Sequence, residues 1–227
     1  MPSAPPQHVG VVPDGNRRYA RKIGISRRDS YLLGVERALA TVEWCRAEGV
    51  RHVSAFGASH DNFARRPSDE QHWLHEALVR FCEGVTTLPG VGLHVFGDAA
   101  ALPDSLPGWA TLVAFERAPR VAGAALTVHV GANYSSESEV TALLRAARTH
   151  GVERVASAPG DFLLSAGVPA VDLLVRTGGQ QRLSGFLPFQ SAYAELWFTP
   201  TLWPEFQRDD LDAALEWYAR QERRLGE

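Results

Sequence analysis

The chain has 227 residues, of which 45% are hydrophobic and 22% charged, and its net charge is −3. This near-average composition can bury a full core and excludes a broadly disordered chain, and the slightly acidic balance argues against a general nucleic-acid binder. The length favours one domain, residues 1–227, over two small ones. All but one of the 23 basic residues are arginine, the side chain suited to bidentate recognition of phosphate and carboxylate groups.

The two ends and the two cysteines carry little signal. The short N-terminus lacks the basic start and apolar run of a signal peptide, and no stretch of about 18 apolar residues could span a membrane. Cys45 and Cys82 fall in helical apolar patterns without metal-type spacing, so neither a disulfide framework nor a zinc site is indicated. We therefore expect a cytoplasmic protein with no membrane span.

Six short runs rich in Val, Leu and Phe show little polar alternation, which is typical of buried parallel strands. In chain order they are residues 9–13, 52–58, 91–97, 126–131, 171–175 and 196–199. Amphipathic helical patterns separate them, and residues 86–92, 101–108 and 157–169 have the glycine and proline content of loops. This alternation predicts a single α/β domain with a mainly parallel central sheet flanked by helices.

Start signals mark the predicted helices. They are Asp29 or Ser30 for the first long helix, and Ser68 with Gln71 and Ser136 with Glu139, each pair spaced as a capping box. A last helix is predicted from about residue 209 to the end of the chain.

In open α/β sheets the functional site lies beyond the carboxyl ends of the strands. Asp14, Gly15 and Asn16 follow the first predicted strand and lead into Arg17 and Arg18. A glycine turn that feeds a helix N-terminus presents backbone N–H groups to an anion. A carboxylate at this place would repel a phosphate unless Mg²⁺ bridged the two. An Asp-Gly hairpin turn is the alternative interpretation.

A second candidate segment follows the fifth predicted strand. Arg176 and Arg182 flank a double glycine, and the hydroxyl groups of Thr177 and Ser184 are nearby, which suits a phosphate cradle. A solvated loop with surface arginines is the alternative. Residues 61–65, after the second strand, are weak evidence alone, and the arginines near the C-terminus also suit a helix dipole.

Other functional motifs are absent from the sequence. It contains no P-loop, no dinucleotide-binding glycine motif and no nucleophile elbow. Its eight histidines form no zinc-binding motif. We interpret them as surface or structural residues, apart from His60, which lies at a strand end.

These segments resemble, in order and spacing, the signatures of the cis-prenyltransferases, the undecaprenyl diphosphate synthase family. Residues 8–21, HVGVVPDGNRRYAR, resemble the first signature, and residues 171–198, VDLLVRTGGQQRLSGFLPFQSAYAELWF, resemble the last. Residues 61–65, DNFAR, resemble the E-N-W-x-R motif, and residues 224–226, RLG, resemble the C-terminal R-x-G. The resemblance extends over about residues 8–226.

The resemblance implies a homodimeric α/β enzyme that uses Mg²⁺ to join isopentenyl diphosphate to an allylic diphosphate with a new cis double bond. Asp14 would hold the Mg²⁺ and act on the allylic diphosphate, and Glu195 would join the metal shell. Asn62 and Arg65 would assist near the reacting centre. Arg176, Arg182 and Ser184 would bind isopentenyl diphosphate, and Arg224 and Gly226 would reach toward the other subunit's site. The other residues implied in substrate binding are Gly15, Asn16, Arg17, Arg18, Arg27, Tyr31, Phe63 and Gln180.

The sequence departs from the family pattern at several site positions. Tyr31 stands where the family usually has histidine, Gln180 where it has an acidic residue, and Gly185 where it has asparagine. Pro13 precedes the aspartate in place of methionine, and Pro188 interrupts the usual Leu-Leu-Trp. The Pro-Asp-Gly start is similar to that of a side branch that makes irregular monoterpene diphosphates, such as lavandulyl diphosphate, from two molecules of dimethylallyl diphosphate.

We therefore expect a Mg²⁺-dependent prenyltransferase with a short or unusual product. Irregular coupling or cyclisation of allylic diphosphates, without isopentenyl diphosphate, is the first alternative. A non-catalytic prenyltransferase subunit is the second, and it is disfavoured because the chain keeps Asp14. No nucleic acid is expected among its partners.

Overall fold

One sheet of six strands forms the centre of the protein, and the computed structural model describes residues 4–222 around it. The strands are β1 (His8–Val12), β2 (His52–Ser59), β3 (Val91–Gly97), β4 (Leu126–Tyr134), β5 (Leu173–Arg176) and β6 (Glu195–Phe198). Their order is β3-β4-β2-β1-β5-β6, and every neighbouring pair is parallel. The predicted α/β fold with a mainly parallel sheet is confirmed, with bounds that shift by up to three residues.

Eight α-helices connect and flank these strands in the described residues. They are α1 (Asn16–Ile23), α2 (Arg27–Ala47), α3 (His60–Arg65), α4 (Ser68–Thr86), α5 (Trp109–Arg117), α6 (Ser136–His150), α7 (Val152–Ser157) and α8 (Arg208–Ala219). The short helices α3, α5 and α7 had no sequence prediction, because elements of six to nine residues contain too few turns for a clear period. None of the helices in residues 4–222 is long and apolar enough to cross a bilayer.

The predicted N-caps of the first two long helices are wrong. Helix α2 begins at Arg27, because the Ser26 hydroxyl accepts a hydrogen bond from the Asp29 N–H and acts as its N-cap. Helix α4 begins at Ser68 without a side-chain cap, directly after Pro67. The fixed φ of proline already sets the chain direction there, so Ser68 is a helical residue rather than the cap.

The predicted capping box of α6 is also wrong, and the reason lies outside the helix. Ser135 caps α6 by accepting from the Ser138 N–H at 3.0 Å. The Glu139 side chain is fully buried and accepts from the backbone N–H groups of Leu164 (2.6 Å) and Ser165 (3.2 Å). The Glu139 carboxylate therefore connects α6 with residues 164 and 165, and it cannot also accept a hydrogen bond from the N-terminus of its own helix.

The two faces of the sheet bury different apolar clusters. On one face, α2, α4 and α8 pack against strand residues such as Val9, Val53 and Val130. On the other face, the rings of Phe56 and Phe186 stack at 4.7 Å in a smaller cluster that also contains Val168 and Leu187. This layering confirms a single α/β domain over the described residues.

Four histidines from four adjacent strands meet on the second face, near the strand starts. The ring nitrogens of His94 and His129 lie 3.0 Å apart, and those of His52 and His129 lie 3.2 Å apart. His8 hydrogen bonds the Ser54 hydroxyl at 2.8 Å, and its ring lies 5.7 Å from that of His129. Burial lowers the pKa of His8 and of His94 to about 4 and that of His129 to about 2, so the cluster stays neutral in the folded protein.

This cluster predicts acid sensitivity of the fold. An unfolded histidine takes up a proton below about pH 6.5, while the folded cluster resists protonation until about pH 4. The unfolded chain then binds more protons, so stability is fully present above about pH 6.5 and is lost as the pH falls toward 4. We expect the free energy of unfolding to drop by a few kcal/mol in this window, at about 1.4 kcal/mol per unit of pKa difference.

Urea unfolding at a series of pH values from 8 to 4.5 measures this effect, because the midpoint follows the stability. A His129→Asn variant should show a shallower pH dependence than the wild type. His150→Asn, at an exposed position that ends α6, should keep the wild-type slope. Equal slopes for all three proteins would exclude the cluster as the cause.

Candidate functional site

The loops that follow β1 and β5 lie side by side, because these strands are parallel neighbours with Val12 opposite Arg176. The Thr177 hydroxyl donates to the Asp14 carbonyl oxygen at 2.7 Å and accepts from the Asp14 N–H at 2.9 Å. The Arg18 Nη1 donates to the Gly178 carbonyl oxygen at 2.6 Å. The two candidate segments of the sequence therefore form one site.

Two glycines allow these loops to approach so closely. Gly15 has φ 125°, and a Cβ on it would lie 2.9 Å from the Leu202 Cα. Gly178 has φ 78°, and a Cβ on it would overlap the Arg18 guanidinium. L-residues with a side chain rarely adopt these angles, so only glycine fits at both positions.

The Asp14 carboxylate lies between two guanidinium groups. Its Oδ1 accepts from Arg18 Nη2 at 3.1 Å, and its Oδ2 accepts from Arg176 Nη2 at 3.0 Å. The Arg176 side chain is 5% exposed and also donates to the Ser184 hydroxyl at 2.8 Å and to the Arg182 carbonyl oxygen. Arg176 therefore connects Asp14 with Ser184 through one planar group.

Asp14 opens onto a polar cavity of ≈390 Å³, the aspartate cavity. Its lining residues are Pro13, Asp14, Gly15, Asn16, Arg17, Arg18, Arg21, Tyr31 and Arg66. Four arginines against one carboxylate give it an excess of positive charge that suits a polyanion. The Asn16 Oδ1 atom is buried and has no hydrogen-bond partner, so it is able to accept a hydrogen bond from a ligand.

The fully buried side chain of Glu70 is the shared ion-pair partner of three arginines in or next to this cavity. Glu70 forms ion pairs with Arg27 at 2.5 Å, Arg17 at 3.4 Å and Arg66 at 3.5 Å. It also accepts from the Tyr31 hydroxyl at 2.8 Å. Burial raises the pKa of Tyr31 above its usual range, so the phenol remains a donor to Glu70.

An apolar cavity of ≈80 Å³, the tail cavity, lies between α2, α4 and the sheet. Its lining residues are Val11, Pro13, Asn16, Tyr31, Gly34, Val35, Ala38, Thr41, Val42, Val53, Ala55, Gly57, Leu74, Ala77, Leu78, Phe81 and Trp203. Pro13, Asn16 and Tyr31 also line the aspartate cavity. A ligand with an anionic head and an apolar tail can therefore occupy both.

Residues 59–65 lie at a third cavity of ≈660 Å³, the serine cavity. It is lined by Ser59, His60, Asp61, Asn62, Arg65, Tyr134, Ser135, Ser136, Glu137, Ser184 and Gly185. Asn62 and Arg65 thus lie beside Ser184 and do not line the aspartate cavity. Arg65 pairs with Asp61 at 3.4 Å, and Phe63 is buried in the core with its ring 6.2 Å from that of His75.

The remaining predicted residues are dispersed. Arg27 reaches the site through Glu70. Gln180 is half-buried in the loop after β5, and the Arg182 side chain is exposed. Arg224 and Gly226 lie outside the described residues.

Glu195 lies at the opposite end of the sheet from Asp14. The register places Leu173 beside both Val9 and Glu195, so Glu195 is level with the start of β1. Val12, the last residue of β1, is three residues beyond Val9, about 10 Å at about 3.3 Å per residue, and Asp14 follows it in a turn in which the Asp14 N–H donates to the Val12 carbonyl oxygen. Within one chain a parallel register therefore separates the start of β6 from the end of β1, and the role of Glu195 in the metal shell stays a prediction.

The acidic and histidine side chains of residues 4–222 form no cluster of three or more metal ligands. A cation at this site would be held by the Asp14 carboxylate together with oxygen atoms of a bound anion. Asn16, whose Oδ1 has no hydrogen-bond partner, also lines this cavity. Carboxylate, amide and phosphate oxygens are the ligand types that Mg²⁺ takes, so these residues fit that ion.

Sequence reasoning missed Arg66 and Glu70. Arg65 is the last residue of α3, whereas Arg66 is extended, with φ −88° and ψ 153°, so consecutive arginines face different cavities. Pro67 gives the signal, because a residue before proline prefers the extended conformation. Glu70 offered no signal, since a carboxylate in the first turn of a helix is usually solvated.

Comparisons with known proteins match this chain to prenyltransferases over nearly its whole length. The family model described as putative undecaprenyl diphosphate synthase matches residues 12–226. An isoprenyl transferase of Rhizobium meliloti is 34% identical, covering 99% of this chain and 94% of the relative. An isoprenyl transferase of Thermotoga maritima is 32% identical, covering 97% of each chain. The crystal structure of lavandulyl diphosphate synthase from Lavandula x intermedia, in complex with dimethylallyl diphosphate, is similar with a TM-score of 0.83 and 25% identity over 99% of each chain.

Proposed function

The chain belongs to the undecaprenyl diphosphate synthase family of prenyltransferases, and from this premise we propose that it joins an allylic diphosphate to isopentenyl diphosphate in a Mg²⁺-dependent reaction with a short product. One observation carries the proposal. The arginine-rich aspartate cavity and the apolar tail cavity are neighbours that share Pro13, Asn16 and Tyr31 in their linings. This arrangement fits a molecule with a diphosphate head and a short prenyl tail.

The proposed reaction breaks the bond between the allylic carbon and the diphosphate oxygen, and negative charge accumulates on the leaving diphosphate. Mg²⁺ bound at Asp14 would neutralise part of that charge. Arg17, Arg18 and Arg66 line the cavity and stabilise the rest through charge-assisted hydrogen bonds. A cation held by Asp14 would replace its contact with Arg18, and the guanidinium would then be available to the diphosphate.

The second diphosphate fits the serine cavity. Arg176 contacts Ser184 at its edge, and the N-terminus of α6 with Ser135 and Ser136 adds backbone N–H donors. Because the guanidinium of Arg176 also contacts Asp14, the two substrates would lie on either side of one side chain. This placement aligns the attacking double bond with the allylic carbon.

The size of the tail cavity supports a short product. Its volume of ≈80 Å³ is well below those of the aspartate and serine cavities, ≈390 and ≈660 Å³. Phe81 and Val42 lie farther along α4 and α2 than Leu74 and Tyr31, so they close the end away from Asp14. Longer chains would require these side chains to move.

Replacement of Phe81 by alanine is expected to shift products toward longer prenyl chains by at least one five-carbon unit, because it opens the closed end of the tail cavity. The change removes a buried ring and costs about 3 to 5 kcal/mol of stability. Val85→Ala, one turn further along α4 at a fully buried position outside the cavity, should leave the products unchanged. Mass spectrometry of the products measures the shift, and the same product length in both variants would contradict it.

Substrate assays test the proposed reaction itself. The purified chain is incubated with dimethylallyl, geranyl and farnesyl diphosphates, each with and without isopentenyl diphosphate, in Mg²⁺ and in EDTA. The proposal expects a product that requires both substrates and Mg²⁺. Absence of any Mg²⁺-dependent product from every pair would overturn it.

Irregular coupling of two allylic diphosphates is the second candidate function. It is favoured by the likeness to lavandulyl diphosphate synthase, and by Tyr31, Gln180 and Gly185, which depart from the family pattern. Product formation from dimethylallyl diphosphate alone would support this reaction over chain elongation.

We further propose that the enzyme is a homodimer. Exposed apolar side chains occur on α6, at Val140 and Leu144, on the segment before β6, at Phe189 and Tyr193, and on β6 itself, at Leu196. Exposed apolar groups of this size commonly mark a protein interface. Light scattering of the purified chain measures the mass directly, and a monomer at micromolar concentration would contradict the dimer.

A further inference from the structure

His60 stands at the edge of the serine cavity, where the residue before it, Ser59, caps the short helix α3. Its Nδ1 lies 3.2 Å from the Oδ1 of Asn133. Asn133 comes from the end of β4, the strand beside β2. The two residues therefore meet across neighbouring strand ends, although 73 positions separate them in the sequence.

The hydrogen bonds of Asn133 determine which nitrogen of His60 carries the proton. The Asn133 Nδ2 donates to the Asp98 carbonyl oxygen at 2.8 Å, so its Oδ1 faces the imidazole. An amide oxygen accepts hydrogen bonds and cannot donate them. The Nδ1 of His60 must therefore be protonated, and its Nε2 keeps the lone pair.

The backbone around Asn133 is built to hold this arrangement. Asn133 has φ 50°, in the left-handed region that is uncommon for a residue with a side chain. The Asp98 N–H donates to the Ala132 carbonyl oxygen at 3.2 Å, which fixes the Asp98 carbonyl beside the end of β4. A backbone strain of this kind persists only where the surroundings determine it, and such positions cluster at functional sites.

The serine cavity places His60 close to the proposed chemistry. Ser184 lines the cavity, and Arg176 connects Ser184 to the Asp14 carboxylate. The charged and titratable side chains that line the cavity with His60 are Asp61, Arg65, Tyr134 and Glu137. Asp61 is paired with Arg65 and Glu137 accepts from the Ser136 hydroxyl, whereas His60 contributes the imidazole of this lining.

We propose that His60 is the proton acceptor of the coupling reaction, an inference that rests on the proposed function. The allylic carbon–oxygen bond breaks, and its electron pair leaves with the diphosphate. The double bond of isopentenyl diphosphate forms the new carbon–carbon bond, which leaves a cation at its third carbon. The Nε2 of His60 then takes the proton from the second carbon, the electrons of that C–H bond form the new double bond, and the resulting imidazolium returns the proton to water.

Replacement of His60 by glutamine tests the role. Loss of a general base typically lowers kcat by 10² to 10⁴, so we expect at least about a 10²-fold loss with KM for both diphosphates within about threefold. With isopentenyl diphosphate deuterated at the second carbon, the variant should show a larger isotope effect on kcat than the wild type. His72→Gln, at a histidine bonded to the Ser68 carbonyl of its own helix, is the matched control and should keep wild-type kinetics.

Each outcome separates the inference from the proposed function. Wild-type kcat in the His60 variant, or a rise in KM alone, overturns the proton-acceptor role while the transferase function stands. An inactive wild type overturns both. Nitrogen-15 NMR of the imidazole gives a readout that needs no turnover. A proton on Nδ1 supports the inference, and a proton on Nε2 contradicts it even in an active enzyme.

Discussion

Replacement of Asp14 by asparagine is expected to reduce turnover by about 10³-fold or more while shifting the melting temperature by only a few degrees. The carboxylate would hold the cation that neutralises the leaving diphosphate, and loss of one such electrostatic contact typically costs about 10² to 10³ in rate. Loss of the cation adds to that effect. Asparagine keeps the size of the side chain and a hydrogen-bonding oxygen.

The effect on stability should be small because Asp14 is partly exposed. Its side chain is 31% exposed, and its partner Arg176 keeps its contacts with Ser184 and the Arg182 carbonyl. The pair of Asp14 with Arg18 is partly exposed on both sides and contributes about 0 to 1 kcal/mol, and the asparagine oxygen can still accept from the buried Arg176. The loss of activity should therefore greatly exceed the loss of stability.

Steady-state rates over a range of Mg²⁺ concentrations, together with thermal unfolding, measure the two effects. Asp212→Asn is the matched control, since Asp212 also pairs with an arginine, Arg208, at 2.7 Å, but on α8 away from the three cavities. Its turnover should equal that of the wild type. An Asp14→Asn protein that keeps a tenth of the wild-type turnover, or that loses activity only as it unfolds, would refute the role of this carboxylate.

The Glu70→Ala variant should lose about 3 kcal/mol of stability, or roughly 6 to 12 °C in melting temperature. Glu70 is fully buried and is the shared partner of Arg17, Arg27, Arg66 and the Tyr31 hydroxyl. Its removal leaves three guanidinium groups without their common counter-charge, and breaking a buried ion pair costs about 3 to 5 kcal/mol. The partial exposure of the arginines places the expected value at the lower end.

Glu76→Ala provides a control on the same helix. Glu76 also pairs with two arginines, Arg28 at 2.6 Å and Arg80 at 2.8 Å, but its side chain is 20% exposed. Its loss should cost about 1 kcal/mol or less. Calorimetry or urea unfolding of the two variants compares the effects, and equal losses would show that the arginine cluster is not held by Glu70.

Activity measurements distinguish the contribution of Glu70 to stability from its orientation of the cavity residues. Because it orients Arg66 and Tyr31, which line the aspartate cavity, Glu70→Gln should raise KM for the allylic diphosphate more than it changes kcat. Glutamine can still accept from the Tyr31 hydroxyl, so this variant should be more stable than Glu70→Ala.

Much of the site followed from local sequence patterns. Buried runs located the strands, and the polar residues after them located Asp14 and Arg176 at the same sheet edge, where the structure joins them at 3.0 Å. Glycine at positions 15 and 178 signalled tight turns, and both have positive φ. These features are local, because burial and turn geometry leave their mark within a few consecutive residues.

Other features depend on contacts between distant segments. The choice between Arg65 and Arg66, the burial of Glu70, and the pairing of His60 with Asn133 each depend on which residues meet after folding. The separation of Glu195 from Asp14 depends on the register of β5 and β6. Hydrophobic periodicity predicts where a strand occurs, but it does not predict which residues of the neighbouring strand pair with it.

The amino-acid order alone determined the layered α/β architecture, the edge of the sheet that carries the chemistry, and the acidic and basic residues placed there. Only the tertiary structure decided how those residues divide among three cavities, and which buried carboxylate and amide orient them. The physical reason is that secondary structure arises from short-range sterics and burial, whereas a binding site is assembled by long-range packing, register and electrostatic pairing.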